Sequence, residues 1–371
     1  MIYFDSTATT RCKDEYLDLY VRMNQQYWNN TLALYKPSVK ANALFLKSID
    51  VVKEALKVKD HTVYFTSGAT ESNNMAIYGV CNKYLKEPKH IITSYLEHAS
   101  VLNVFKDLEK KGFRVTYLKP DKEGRINILD LKKALTPDTI LVSLMWVSNI
   151  VGTVEPIKDV INLLKNHRAK LHVDCVQGIG KIKPDFDFND IDMLTISGHK
   201  LHGLKGTGCV VCKSNLDISF MQGGHQQNAK RPGTVDLPGS VIMAKCVKDA
   251  IANQEAEYNK TLKLYNYLID EIKDTKNITL NKSEKYFSPF ILSVTFNNIK
   301  AETVLHILEE SDICVGVGSS CNSHSKESEP TLEYMLEDEK LTKNTIRISL
   351  SSENTLDEVK LLANKIKEIG K

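Results

Sequence analysis

The sequence predicts an α/β protein with a mainly parallel sheet, followed by a smaller α+β domain. Two observations support this prediction. Between about residues 50 and 215, apolar runs of strand length alternate with segments of helical pattern, as in repeated βα units. After a long helical pattern, the order of strand-like and helix-like segments changes, which indicates a second and smaller unit.

Six apolar segments predict the strands of the large sheet: Val63–Thr66, His90–Thr93, Ile140–Val147, Lys170–Asp174, Asp192–Ser197 and Gly208–Cys212. Helical patterns between strands include Asn73–Leu85 and Ala99–Lys110. A further helical pattern runs from about Ser240 to Lys273 without proline or glycine. It predicts a helix long enough to bridge two domains.

The C-terminal part predicts two further strands and two further helices, which are Ser288–Asn297, Thr345–Leu350, Ala301–Ser311 and Thr355–Ile369. This mixture is typical of a small α+β domain. We therefore expect a large domain over residues 15–250 and a small domain formed by residues 1–14 and 251–371.

The composition excludes several classes of protein. Hydrophobic residues make up 42% and charged residues 26% of the 371 residues, as in ordinary globular proteins. The formal net charge is +3 and the basic residues are scattered, so direct nucleic-acid binding is not expected. No signal peptide or bilayer-spanning segment is recognised, and eight scattered cysteines suit a reducing compartment. We expect a cytoplasmic protein with no membrane partner.

Candidate functional residues follow the predicted strands at the point where each strand ends, the edge at which open α/β sheets bind ligands. After the first strand, Gly68 permits a tight turn and Thr70 begins a helix, whose free N–H groups favour a phosphate. His98 and Asn149 follow the next strands, where a flat ring could stack on the histidine and accept from the amide. Taken singly, each residue is also typical of a helix cap or an ordinary loop.

Asp174 and Lys200 complete this set. Asp174 ends an apolar run, where a carboxylate is costly unless paired, and a protonated pyridine nitrogen is one suitable partner. A helix cap or a metal ligand is an alternative role. Gln177 can reach a ring hydroxyl, and Lys200 in the string SGHK can bind an aldehyde covalently if a dry pocket removes its proton. A solvated loop lysine is the alternative for Lys200.

Nine motifs together carry a resemblance that runs nearly from end to end. The sequence resembles the NifS/IscS-type cysteine desulfurases in the class V aminotransferase group of pyridoxal phosphate (PLP) enzymes. The motifs are YFDSTATT at 3–10, FTSGATESNN at 65–74, EHASV at 97–101, SNIVGTVEPI at 148–157, HVDCVQGIGK at 172–181, SGHKLHGLKGTG at 197–208, RPGT at 231–234, GSSCNS at 318–323 and RISLS at 347–351.

The resemblance implies the fold of aspartate-aminotransferase-like PLP-dependent transferases and a function. L-cysteine would be converted to L-alanine, and its sulfur would be held as a persulfide on Cys321 for transfer to an acceptor. The implied catalytic residues are Lys200, His98 and Cys321, and the implied substrate-binding residues are Arg347 and Asn149. The implied cofactor-binding residues are Ala69, Thr70, His98, Asn149, Asp174, Gln177, Ser197, His199, Lys200 and Thr234. No metal is implied.

The resemblance also assigns a task to each group. Lys200 would carry PLP covalently and remove the α-proton of cysteine, Asp174 would pair with the ring nitrogen, and His98 would stack on the ring. Asn149 and Gln177 would contact the ring hydroxyl, while Thr70, Ser197 and His199 would hold the phosphate. Thr234 would reach the phosphate of the neighbouring protomer, which implies a homodimer.

Two further residues suit their implied tasks. In Ile346-Arg347-Ile348-Ser349-Leu350, alternation turns Arg347 away from the apolar side of a strand. Cys321 lies in the polar, serine-rich segment Val315–Pro330, which predicts a mobile loop that can swing to the pocket and away again. A free surface cysteine is the alternative for Cys321.

Cys209 and Cys212 form a CxxC string that has no assigned role. A redox or zinc role is conceivable, but both cysteines lie in a predicted strand, where residues three apart face opposite sides. No second CxxC completes a zinc site. We therefore expect both cysteines to pack in the core.

The sequence departs from the family pattern at a few positions and leaves alternatives open. Ser6, Ile150, Leu204, His225 and Asp236 replace residues that are usual in the family. Transamination is disfavoured by Cys321, whereas selenocysteine lysis would use the same site. A non-catalytic scaffold subunit is disfavoured by the intact set of site residues. The sulfur acceptor would be an iron–sulfur scaffold or a tRNA-thiolation enzyme, and a selenium pathway also remains possible.

Overall fold

The computed structural model describes residues 1–318 and 329–371. Its strands are β1 (Ile2–Phe4), β2 (His61–Thr66), β3 (His90–Ser94), β4 (Arg114–Leu118), β5 (Thr139–Met145), β6 (Lys170–Asp174), β7 (Met193–Ser197), β8 (Gly208–Lys213), β9 (Ile278–Asn281), β10 (Ile291–Phe296), β11 (Ile313–Val317) and β12 (Thr345–Ser349). Its helices are α1 (Asp14–Gln26), α2 (Lys36–Leu56), α3 (Ala69–Cys81), α4 (Ala99–Lys110), α5 (Ile128–Ala134), α6 (Ile157–Leu164), α7 (Leu237–Ile272), α8 (Ala301–Glu309), α9 (Pro330–Leu336), α10 (Glu339–Lys343) and α11 (Leu356–Ile369).

The larger sheet has seven strands in the order β2-β8-β7-β6-β5-β3-β4. Its strands run parallel except β8, which is antiparallel to both of its neighbours. Residues of β5 and β7 are buried along their whole length, as expected for central strands that are covered on both faces. The predicted α/β class with a mainly parallel sheet is confirmed.

Two predictions about this sheet were incomplete. The sequence analysis missed β4, because this edge strand is partly exposed and does not form an apolar run. The helix predicted from Asn73 begins four residues earlier, at Ala69, since the turn before it is only Ser67 and Gly68. Thr70 lies within the first turn of α3, as the tight turn at Gly68 predicts.

Cys209 and Cys212 lie on opposite faces of β8, and both are completely buried. Cys209 packs in the hydrophobic cluster that includes residues of α2 and α7, whereas Cys212 packs in the cluster that includes residues of α3 and α4. Burial raises the pKa of each thiol to about 12. The prediction that this CxxC string belongs to the core is confirmed.

A second sheet of five strands has the order β1-β11-β12-β10-β9. Strand β1, at the N-terminus, pairs with β11 at the edge of this sheet. The residues that follow β1 therefore run from this sheet toward the larger one. Helix α7 contributes Leu237 and Met243 to the core of the large sheet and Leu268 and Ile272 to that of the small sheet. The domain boundary expected at residue 250 falls inside α7 and stays a prediction.

The segment Val315–Pro330 is not wholly a loop. Its first three residues belong to β11, and Pro330 is the first residue of α9. Cys321 lies outside the described residues, and so does the prediction of mobility for its surroundings. Among the helices of the described ranges, none is both long and apolar enough to cross a membrane.

Candidate active site

A cavity of about 450 Å³ lies at the carboxyl ends of β5, β6 and β7, as the sequence predicts. It is lined by ten of the predicted site residues: Ala69, Thr70, His98, Asn149, Asp174, Gln177, Ser197, His199, Lys200 and Arg347. Thr234 does not line it, and Cys321 is outside the described residues. The structure therefore brings together side chains that are as many as 278 residues apart in sequence, from Ala69 to Arg347.

One end of the cavity is formed by the turn between β2 and α3. Gly68 caps the helix with a φ of +148°, a conformation that side chains disfavour. The turn also packs closely on β8, since a Cβ on Gly208 would lie 2.7 Å from the Cα of Gly68. Because the first amides of a helix have no partners within the helix, this end of α3 suits an anion.

Ser197 and His199 stand beside that turn. The Ser197 hydroxyl is buried and has no hydrogen-bond partner among the residues that the structure describes. Nδ1 of His199 lies 3.1 Å from the Thr9 hydroxyl, and burial together with nearby lysines lowers the pKa of His199 to about 4. The buried, unpartnered hydroxyl is what a bound phosphate oxygen would satisfy.

Asp174 ends β6 and is buried at the base of the cavity. Its Oδ2 accepts from the Asn73 amide at 2.9 Å, and its Oδ1 accepts from the backbone N–H of Val176 at 3.0 Å. Two donors of this kind stabilise a carboxylate inside an apolar strand. Asn73 was not predicted, because it lies 101 residues from Asp174 in the sequence.

His98 is the N-cap residue of α4 and lines the cavity. Its Nδ1 accepts from the backbone N–H of Ser100 at 3.1 Å and lies 2.8 Å from the Ser100 hydroxyl. The hydroxyl in turn accepts from the Asn73 amide at 2.8 Å. Both alternatives that the sequence offered for His98, a helix cap and a cavity residue, therefore hold at once.

Lys200 is the last residue of the short 3-10 turn Gly198–Lys200, which follows β7. Its Nζ donates to the backbone carbonyls of Thr7 and Ala8, and the bond to Ala8 measures 2.6 Å. The segment that follows β1 thus provides the acceptors that hold the amine in the cavity. The lysine is partly buried, in contrast to a solvated loop lysine.

Gln177 links a second lysine, Lys181, to the backbone carbonyl of Thr7, which also accepts from Lys200. Its Nε2 donates to the Thr7 carbonyl at 3.3 Å, and its Oε1 accepts from Nζ of Lys181 at 2.7 Å. Burial, together with the charges of Lys200 and Arg347, lowers the pKa of Lys181 to about 7. The sequence gave no role to Lys181, although it stands in a motif quoted above.

Arg347 reaches the cavity from β12, in the smaller sheet. Only 3% of its side chain is exposed, and Nη2 pairs with Asp5 Oδ1 at 2.8 Å. Nη1 donates to the carbonyls of Asn149 and Gly318 at 3.1 and 3.2 Å. The neighbours Ile346 and Ile348 face the hydrophobic cluster, as the alternating pattern predicts.

Thr234 is exposed on the surface near the cavity. Its segment is held there by Arg231, whose Nε pairs at 2.7 Å with Glu71, a residue that lines the cavity. An exposed position is what a residue needs in order to reach a second protomer. Its contact with such a protomer stays a prediction.

The residues of the cavity fit pyridoxal phosphate. The first turn of α3 and the unpartnered Ser197 hydroxyl suit its phosphate, and Asp174 suits its ring nitrogen. Lys200 supplies the amine, at a carboxyl end of the same sheet. The set holds an anion site, a buried carboxylate and a lysine in one cavity, and each has the partner chemistry that the cofactor requires.

Comparisons with known proteins agree with this description. The family model Aminotransferase class-V matches residues 2–362. The chain is 37% identical to a NifS/IcsS protein homolog of Lactobacillus delbrueckii subsp. bulgaricus, over 96% of this chain and 94% of that protein. It is 32% identical to Cysteine desulfurase IscS of Methanosarcina thermophila, over 99% and 91%.

Solved structures give the same result. A NifS-like protein matches with a TM-score of 0.91 and 32% identity, over 99% of this chain and 98% of that chain. SspA in complex with cysteine matches with a TM-score of 0.82 and 30% identity, over 96% of this chain and 100% of that chain. The chain belongs to the class-V aminotransferase family and, within it, to the PLP-dependent cysteine desulfurases of the NifS/IscS type.

Proposed function

We propose that this enzyme removes sulfur from L-cysteine in the cavity and holds it as a persulfide on Cys321. The observation that carries the proposal is the meeting of Lys200, Asp174 and Arg347 in one cavity. Lys200 and Asp174 come from the large sheet, and Arg347 comes from the small sheet. The three together supply a cofactor amine, a partner for a ring nitrogen and a cation for the substrate carboxylate.

Bound pyridoxal phosphate supplies an electron sink for the negative charge that forms when the α-proton of cysteine leaves. Asp174 would pair with the ring nitrogen, and the donors Asn73 and Val176 hold its carboxyl group in place. Lys200 would hold the cofactor through its amine, and as a free amine it would take the α-proton of cysteine. The carbonyls of Thr7 and Ala8 hold this amine at the edge of the cavity, so that it stays within reach of the substrate.

Arg347 would bind the carboxylate of cysteine. Its guanidinium has five N–H donors, and it donates to Asp5 and to the carbonyls of Asn149 and Gly318. The planar fork suits bidentate contact with a carboxylate, and burial strengthens that contact. Asn149 lines the cavity on the same side, which supports its predicted contact with cofactor and substrate.

Cys321 would receive the sulfur. It follows Gly318 by three residues in the sequence. The Gly318 carbonyl in turn accepts from Arg347 at the cavity. The Cys321 thiolate attacks the substrate sulfur, an S–S bond forms and the bond between Cβ and sulfur breaks, leaving its electron pair on the substrate fragment. Cβ takes up one proton, which balances the proton that the Cys321 thiol lost, and the α-proton returns from Lys200, which gives alanine.

The homodimer and the sulfur acceptor belong to the proposal as well. The exposed Thr234 would complete the phosphate site of a second protomer, and its segment is fixed near the cavity by the pair Arg231–Glu71. The acceptor would be an iron–sulfur scaffold or a tRNA-thiolation enzyme in the cytoplasm. The persulfide chemistry is the same for both acceptors.

The test is to incubate the PLP-loaded enzyme with L-cysteine, to quantify alanine and to locate the persulfide by peptide mass spectrometry. We expect alanine and a persulfide on the peptide that contains Cys321. Cys321→Ser should bind PLP and change its spectrum with cysteine, but form little alanine, since a hydroxyl is a far weaker nucleophile than a thiolate. Cys12→Ser is the matched control, because Cys12 is a partly exposed thiol outside the cavity lining.

Three results would contradict the proposal. Alanine production by Cys321→Ser at the parent rate would show that Cys321 is not the acceptor. A keto acid in place of alanine would indicate transamination. Activity with selenocysteine and none with cysteine would indicate selenocysteine lysis.

A further inference from the structure

Asn73 is a buried amide whose two donated hydrogen bonds join two sides of the cavity. It is completely buried, and Nδ2 donates to Asp174 Oδ2 at 2.9 Å and to Ser100 Oγ at 2.8 Å. An ionised carboxylate can only accept, so the atom that faces Asp174 must be the amide nitrogen. The orientation of the Asn73 side chain is therefore determined by its partner.

Ser100 connects Asn73 to His98 through hydrogen bonds whose directions are fixed. The Ser100 backbone N–H can only donate, and it points at Nδ1 of His98 from 3.1 Å. Nδ1 must therefore accept, and a neutral His98 carries its proton on Nε2. Because Ser100 Oγ already accepts from Asn73, its own proton is available for the same Nδ1, 2.8 Å away.

We propose that Asn73 and Ser100 are positioning residues that set the tautomer of His98 and couple it to Asp174. The proposal rests on the proposed function, in which His98 lies against the cofactor ring and Asp174 pairs with its nitrogen. In this tautomer Nε2 of His98 carries an N–H and is a hydrogen-bond donor. The same amide therefore bonds to Asp174 and, through Ser100, orients His98.

The position of these bonds in the fold supports this arrangement. His98 is the N-cap of α4, so the ring is held by the helix backbone as well as by the Ser100 hydroxyl. Asn73 lies in the first turns of α3, next to the turn that suits the phosphate. One connected set of hydrogen bonds therefore spans from the first turns of α3 to the start of α4 and the end of β6.

The first test reads the tautomer directly and does not require activity. Histidine is labelled with ¹⁵N in the PLP-loaded enzyme, and the His98 signal is assigned by its loss in His98→Gln. We expect an unprotonated Nδ1 and a protonated Nε2. In Ser100→Ala and Asn73→Ala the signal should shift toward a mixture of tautomers. A protonated Nδ1 in the parent enzyme would overturn the proposal.

The second test uses kinetics and the cofactor spectrum. Ser100→Ala and Asn73→Ala should bind PLP, keep the KM for cysteine within about twofold and lose about tenfold or more in kcat. The pH dependence of the cofactor absorption should also change. The kcat of the double variant should be no lower than that of the less active single variant, since both residues act through the same chain of hydrogen bonds. Ser100→Thr, which keeps the hydroxyl, should restore kcat.

Ser143→Ala is the matched control. Ser143 is also buried and bonds to a histidine, His172, at 2.7 Å, but it does not line the cavity. It should lower the melting temperature without changing kcat or the cofactor spectrum. Equal kcat losses in Ser143→Ala and Ser100→Ala would overturn the proposal, as would parent-like kcat and spectra in the site variants. A parent enzyme that forms no alanine would instead contradict the proposed function, and the NMR result would still decide the tautomer.

Discussion

Arg347 is a buried cation, and in the proposed function it binds the substrate carboxylate. It pairs with Asp5 and donates to two backbone carbonyls, one of them of Asn149. Lysine keeps the charge but lacks the planar fork. We expect Arg347→Lys to raise the KM for cysteine about tenfold or more and to leave PLP binding intact.

The control for this variant is Arg125→Lys. Arg125 also donates to a backbone carbonyl, that of Val154, and stacks 3.5 Å from the ring centroid of Tyr286, but it does not line the cavity. Its KM should stay at the parent value. An unchanged KM for cysteine in Arg347→Lys would show that Arg347 does not bind the substrate carboxylate.

Glu97 is a buried carboxyl next to the predicted ring-stacking residue. It accepts from the Ser94 hydroxyl and from the backbone N–H of Met145, and burial raises its pKa from 4.5 to about 8. Between pH 4.5 and about 8, Glu97 is therefore protonated in the folded state and ionised in the unfolded state. Stability should be greatest near the lower end of this window and fall as the pH rises through it.

The variant Glu97→Gln keeps an acceptor for both donors and cannot ionise. We expect the melting temperature of the parent to fall relative to that of Glu97→Gln as the pH rises from about 5 to about 8. Glu302→Gln, at an exposed position in α8, should show no such divergence. A melting-temperature difference that stays constant with pH would show that Glu97 does not bind this proton.

The residues that the sequence analysis missed share a physical reason. Asn73, Asp5 and Lys181 act on the site through single hydrogen bonds to residues that the sequence did identify. Asn73 and Asp5 meet their partners only because separate elements pack together, 101 and 342 residues apart. Lys181 is close to Gln177 in sequence, but nothing in the sequence shows that its amine is buried.

Among the elements of the site, the turn before α3 is constrained in its backbone conformation. Gly68 has a φ of +148°, and open space surrounds the position of a Cβ, so an added side chain would meet only backbone strain. Strain of about 1–3 kcal/mol can be relieved by a shift of the turn. We expect Gly68→Ala to weaken PLP binding by about tenfold, measured by titration of the apoenzyme.

Gly112→Ala provides the matched control. Gly112 follows α4 with a φ of +94° and is not among the residues that line the cavity. Its substitution should cost stability without changing the affinity for PLP. Equal affinities in Gly68→Ala and the parent would show that this turn does not bind the phosphate.

The elements that were predicted well are those with a strong local signal. Lys170–Asp174 and Ala99–Lys110 have the predicted bounds, because a buried apolar strand and an amphipathic helix each have a clear period. Strand β4 lacked such a signal, and the antiparallel direction of β8 depends on contacts across the sheet. Direction and order in a sheet follow from packing, which the local pattern does not contain.

At the scale of the whole molecule, the cavity needs residues from both sheets and, in the proposed function, a residue from a second protomer. The homodimer can be tested by complementation. One protomer carries Thr234→Ala and the other carries Lys200→Ala, so each homodimer is impaired. If Thr234 acts across the interface, the mixed dimer contains one complete site.

We expect the mixed dimer to recover up to about half of the parent activity per dimer. Sedimentation of the PLP-loaded enzyme should give a dimer. The control is a mixture in which both substitutions are carried by the same chain and are combined with the parent. A PLP-loaded monomer, or no recovery in the mixed dimer, would contradict a shared site.

In the proposed function, Lys200 is the lysine that binds the cofactor in the cavity at the end of the large sheet. Two other lysines lie close to it, since Lys205 also lines the cavity and Lys181 contacts Gln177. Borohydride reduction of the PLP-loaded enzyme, followed by peptide mapping, distinguishes these amines. We expect the reduced label on Lys200, and a label on Lys181 or Lys205 would contradict the role proposed for Lys200.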